Sequence, residues 1–134
     1  MKIEEVEGIG PTFADKLTSA GVATTDDLLD RGATAAGRDK LSEATGISER
    51  LLLEWVNHAD LMRIKGVGSE YADLLEAAGV DSCPELARRK AANLATTFQE
   101  LVAARPNIVR QVPSEATISG WIAQAGQLAK IVSH

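Results

Sequence analysis

Side chains able to do covalent or acid–base chemistry are few in this sequence and far apart. Cys83 is the single thiol, and His58 and His134 are the two imidazoles. A thiol becomes nucleophilic when a base or a cation lowers its pKa. No histidine lies near Cys83 in sequence; it follows a helix-cap position and reads as a small, partly buried residue. One cysteine excludes an internal disulfide and a cysteine-based metal cluster, and two isolated histidines do not make a metal site. There is no nucleophile elbow, no phosphate-binding P-loop and no metal-ligand spacing. Asp15 and Asp73 fall on matching positions of a repeat, but helix structure explains that better than a catalytic carboxylate pair. The chain reads as non-enzymatic, with no cofactor, no metal and no small-molecule substrate.

Charge is the remaining chemistry. The formal net charge is −5, which argues against general nucleic-acid affinity. It is unevenly spread. Residues 1–60 carry 6 Lys/Arg against 12 Asp/Glu, whereas residues 61–134 carry 8 against 7. The second half is therefore the better candidate for touching phosphate. Arg88-Arg89-Lys90 is the densest basic cluster; it could meet phosphate or an acidic partner, or form a solvated helix face. The start, MKIEEVEG, has no apolar stretch long enough for a signal peptide or a membrane span. A cytoplasmic protein with no membrane partner is expected.

The elements that position these residues come in two copies. IEEVEGIGPTFADKLTSAGVATTDDLLDR, from Ile3, aligns without a gap on LMRIKGVGSEYADLLEAAGVDSCPELARR, from Leu61. Gly8, Gly10, Ala14, Asp15, Leu17, Ala20, Gly21, Val22, Leu28 and Arg31 meet identical residues 58 positions later. Val6 pairs with Ile64, Ile9 with Val67 and Phe13 with Tyr71. Further on, LEWVNHADLM with Trp55 resembles SGWIAQAGQL with Trp121, after extra residues in the second copy around Ala104 to Pro113. Both tryptophans have apolar neighbours and are expected in the core.

Within each copy the local grammar is helical. Gly8-Ile9-Gly10 is a tight turn whose central apolar residue can plug the core. Pro11 suits a first helical position; Phe13, Ala14, Leu17 and Ala20 give one apolar face; Gly21 stops the helix. Thr24 with Asp27, and Ser82 with Glu85, form capping-box patterns. A further helix is expected over 34–46, stopped at Gly46, then one capped by Ser48 that carries Trp55 towards Ile64. In the second copy a long middle helix is expected from Pro84 to Ala104, and a last one from the Ser114 cap to about Val132. No segment shows strand alternation.

The pattern h-x-G-h-G-x-x-x-A, with h apolar, appears as VEGIGPTFA and IKGVGSEYA. It resembles the helix-hairpin-helix motif of DNA-repair enzymes, polymerases and ligases. The two-copy arrangement, each copy followed by a Trp-bearing helix, resembles an uncharacterised bacterial family of tandem helix-hairpin-helix proteins known as a domain of unknown function. An all-α fold of two tandem helix-hairpin-helix units is expected, and because the Trp55 helix leads straight into the second turn with little linker, the units are expected to pack as one compact body. The first unit with its Trp-bearing helix would span 1–60 and the second 61–134.

In DNA-binding relatives the hairpin backbone holds a phosphate, where unpaired amides and the helix dipole favour an anion. The resemblance therefore assigns backbone contacts to Gly8, Ile9 and Gly10, and to Gly66, Val67 and Gly68. Thr12, Lys16, Arg63, Lys65 and Ser69 would add side-chain contacts. Such a site reads DNA or RNA backbone and not base sequence. Glu4, Glu5, Glu7 and Asp15 around the first hairpin, and Glu70 and Asp73 around the second, oppose it. Two readings follow: a sequence-independent nucleic-acid binder working mainly through the second hairpin, or a protein-interaction or self-assembly scaffold that keeps the fold without the ligand.

Overall fold

Hydroxyl side chains mark where most of the helices begin. Thr24, Thr34, Ser48, Ser82 and Ser114 each accept a hydrogen bond from the backbone N–H three residues on, taking up a donor that the first helical turn leaves unpaired. In the computed structural model, which describes residues 1–134, they open α2 (Thr25–Gly32), α3 (Ala35–Thr45), α4 (Glu49–Leu61), α6 (Cys83–Ala87) and α8 (Glu115–Gln127). The other three helices are α1 (Pro11–Ser19), α5 (Ser69–Ala77) and α7 (Ala91–Ala104), and a short 3-10 turn covers Ile3–Glu5. The protein is all-α, as expected; its only β-type pairing is an isolated bridge between Lys2 and Thr24. No helix is long and apolar enough to cross a membrane.

The chain divides into two compact units, residues 1–60 with 131–134, and residues 61–130. In the first, Ile3, Leu17, Val22, Leu28, Leu41, Leu52 and Val56 are fully shielded from solvent or nearly so. In the second, Leu61, Ile64, Leu74, Leu75, Leu86, Phe98 and Ile118 form the corresponding core. Trp55 and Trp121 are 2% and 3% exposed, so both are core side chains. Aromatic residues are few, and the aliphatic stripes of the helices supply most of the buried area.

Three features depart from the sequence reading. The long middle helix of the second unit is broken into α6 and α7: Arg88 and Arg89 donate to the carbonyls three residues back, and Lys90 is extended at φ −103° and ψ 131°. The break falls near the place where α2 gives way to α3 in the first unit, so the corner belongs to the repeated architecture and overrides helix propensity. The second capping box is also half made. Ser82 accepts from the Glu85 N–H at 3.3 Å, while the Glu85 carboxylate turns to Arg89. Thr24 and Asp27 make the full reciprocal box. Finally, α8 stops at Gln127, and residues 131–134, which the sequence reading placed in the second unit, belong to the first.

Candidate nucleic-acid interface

The turn that opens each unit is built by an apolar residue every third position. Ile3, Val6 and Ile9 are buried, as are Leu61, Ile64 and Val67. Their backbones make two successive three-residue turns: Val6 donates to Ile3 O at 3.2 Å and Ile9 to Val6 O at 3.1 Å. In the second unit Ile64 donates to Leu61 O at 3.1 Å and Val67 to Ile64 O at 3.0 Å. This corrects one expectation. The N–H groups of Ile9 and Val67 are spent inside the turn and their side chains point into the core, so neither residue can offer a backbone donor to a ligand.

Gly8 and Gly66 sit at φ +90° and +96°, a backbone region that side-chain-bearing residues rarely adopt. Space is tight there as well: a Cβ on Gly8 would lie 3.3 Å from Trp55 Nε1, and one on Gly66 would lie 3.3 Å from Trp121 Nε1. Phe13 and Trp55 stack at 5.1 Å between ring centroids, Tyr71 and Trp121 at 5.2 Å. Each indole thus lies against the glycine turn and against the helix that follows it. These tryptophans position the turn.

Gly10 and Gly68 cap α1 and α5 with extended backbone and no side-chain hydrogen bond. In the two helices entered from a glycine turn, the first-turn amides therefore lack the hydroxyl cap that most of the other helices have. The two ends differ in what surrounds them. Pro11 removes one donor from α1. A shallow groove beside it is lined by Glu4, Ile9, Pro11, Ala14 and Asp15, whose carboxylates repel an anion. Thr12 and Lys16 are exposed, and the Lys16 ammonium lies 6.0 Å above the Phe13 ring.

The second turn is more basic and better braced. The Gln124 side chain on α8 accepts from Lys65 N at 3.0 Å and donates to Lys65 O at 3.3 Å, which leaves the lysine side chain exposed. Arg63 is partly exposed, as is Ser69, the first residue of α5. Glu70, the acid expected to occupy the α5 end, is engaged elsewhere: Arg110 gives it both its backbone N–H and its Nε. Tyr71 donates its hydroxyl to Gln111 O at 3.0 Å. The extra residues of the second unit therefore pack against the start of α5 and bring Arg110 there, its side chain 95% exposed. Sequence reasoning missed Arg110 and Gln124. Arg110 lies in the stretch that has no counterpart in the first copy, so the repeat carries no signal for it.

The Arg88-Arg89-Lys90 cluster is not part of this site. Arg89 donates to Gly79 O at 3.1 Å and to Glu85 at 2.9 Å, and Arg88 pairs with Glu85 at 3.7 Å. The same device serves the first unit, where Arg31 donates to Ala20 O at 3.0 Å. Both arginines satisfy carbonyls just past the end of a helix. Cys83 is fully buried as the first residue of α6.

These features define a class: an all-helical protein of two like units, each with a glycine turn braced by a tryptophan from its own last helix. The chain belongs to the family described as Domain of unknown function (DUF4332), whose model matches residues 7–128. That span contains both glycine turns and both tryptophan helices. No curated protein and no solved structure matches the chain.

Proposed function

We infer that the protein is a non-enzymatic tandem helix-hairpin-helix module that binds the backbone of nucleic acid, DNA in the first instance, through the second hairpin and without reading base sequence. The observation that carries this reading is the start of α5. Its N-cap is a glycine that makes no side-chain hydrogen bond, and its one first-turn carboxylate, Glu70, is paired with Arg110. The positive end of a helix dipole attracts phosphate, Arg63 and Lys65 add cationic side chains from the turn, and Arg110 from the adjoining loop offsets Glu70. The working contacts are then Gly66, Gly68, Ser69, Lys65 and Arg63, joined by Arg110. In the first hairpin Gly8, Gly10, Thr12 and Lys16 stand beside Glu4 and Asp15 and contribute little.

Titration of labelled single- and double-stranded DNA by fluorescence anisotropy across a salt series tests this. Two or three phosphate contacts give a log–log salt slope of about −2 to −3 on duplex DNA. Arg63→Glu with Lys65→Glu abolishes binding, and Arg110→Glu weakens it about tenfold, a loss of about 1.4 kcal/mol. Absence of binding at low salt refutes the reading.

A second reading draws on the groove beside the first hairpin. Its apolar floor of Ile9, Pro11 and Ala14 is flanked by Glu4 and Asp15, a surface suited to a basic protein segment. Binding of a Lys-rich peptide that Glu4→Gln with Asp15→Asn abolishes would favour this scaffold role.

A further inference from the structure

Residues 131–134 form neither helix nor strand, yet three of the four are held in place. Val132 is 3% exposed. Ser133 donates its N–H to Ala33 O at 2.8 Å and receives Arg38 Nη2 on its carbonyl at 2.8 Å. His134 Nε2 meets Asn57 Oδ1 at 2.8 Å. The receiving side is made of buried polar groups: Arg38 is 4% exposed and Asn57 is 6% exposed. The other arm of Arg38 donates to Gly32 O at 2.8 Å, which fixes the guanidinium in its orientation. A buried guanidinium needs acceptors for its donors, and here one of the two backbone carbonyls it uses comes from the extended segment.

This is the logic by which proteins capture an extended peptide. Main-chain hydrogen bonds supply the hold, and seats for individual side chains supply the choice. We propose that the first unit carries a recognition slot for an extended segment, filled in the free protein by its own residues 131–134 as a tethered ligand, and that the occupant it accepts in trans is the same segment of a second copy. Every copy carries both halves of the contact. Leu128–Lys130, leading into the segment, are not helical, so a non-helical link joins the docked residues to α8. Tethering gives the chain's own segment an effective concentration of the order of millimolar, so exchange between copies appears when the tethered segment is prevented from docking.

The test uses the chain of residues 1–134 and a labelled peptide of residues 127–134. In Val132→Asp the tethered segment cannot place its charged side chain in the buried seat, so the slot stands open. Ser133→Pro, which removes the N–H given to Ala33, opens the slot without adding a charge. Circular dichroism checks that each variant retains wild-type helix content. Both variants bind the peptide at least tenfold tighter than the wild-type chain does. A peptide carrying Val132→Asp is not bound, and adding Asn57→Ala to the receiver weakens binding severalfold. If both variants stay folded and neither takes up the peptide, the proposal is overturned. Equal binding by wild type and variants overturns it too, since the slot would then not be filled by its own segment.

Discussion

Replacing Gly66 with alanine, beside the same change at Gly68, separates the two roles that glycine plays in the second turn. Gly66 lies at φ +96°, and its Cβ would come 3.3 Å from Trp121 Nε1. An alanine forced into left-handed backbone costs about 1–2 kcal/mol, and the close approach to a fully packed indole adds a few tenths more. Gly66→Ala therefore loses about 1.5–2 kcal/mol, which at a urea slope of about 1–3 kcal/mol per molar lowers the unfolding midpoint by about 1 M. Gly68 is extended, at φ −90° and ψ −172°, and a Cβ there meets nothing within 4 Å. Gly68→Ala should stay within about 0.5 kcal/mol of wild type, tilted towards stabilisation because alanine restricts the unfolded chain. Urea unfolding followed by far-ultraviolet circular dichroism reads both. Equal losses in the two variants, or a neutral Gly66→Ala, would refute the account of the indole and the positive φ as what fixes this turn.

Three other outcomes follow from contacts within single units. In Gly32→Ala the new methyl would lie 2.6 Å from Val56 Cγ2, an overpacking that costs about 1–3 kcal/mol; adding Val56→Ala makes the pair less destabilising than the sum of the singles in a denaturation cycle. Arg89→Met removes the donor to Gly79 O and Arg31→Met the donor to Ala20 O. Each lowers stability in thermal unfolding by about 0.5–1 kcal/mol, because the lost bonds are solvent-exposed. Asp27 accepts from the Ala23 and Thr24 amides, and these bonds hold its carboxyl below the ordinary value of 3.8. A depressed pKa gives stability that is complete above the unfolded value and fades as pH drops through the folded one. The gap in urea midpoint between wild type and Asp27→Asn should therefore be widest near pH 6 and close below pH 3.8; a gap independent of pH would contradict the capping role.

Much of this fold was legible because the repeat tied backbone demands to residue types. A glycine at Gly8 and again at Gly66, a hydroxyl at Thr24 and Ser82, and a tryptophan after each glycine turn are choices that local geometry makes. What escaped depended on partners distant in sequence. The break after Ala87 has no glycine or proline to announce it. Arg89 looked like surface charge and proved to be a helix-end cap, since its acceptor lies ten residues upstream. Of the expected site, Ile9 and Val67 dropped out because their amides turn inward, which the alternation of glycine and apolar residues could not reveal. Arg110 entered it through a loop that only one copy has. Residues 131–134 carried no periodic signal at all, and their place beside Arg38 and Asn57 rests on contacts spanning 77 to 100 residues of chain.

The indoles of Trp55 and Trp121 have one more consequence. Each is nearly sealed from water, each lies against the glycine turn of its own unit, and the chain holds no third tryptophan. Trp55→Phe and Trp121→Phe each leave a single indole whose spectrum and quenching belong to one glycine turn alone. The protein thus carries a built-in pair of optical gauges. Whatever settles on a turn, or pulls it open, should write its signal on one indole and spare the other.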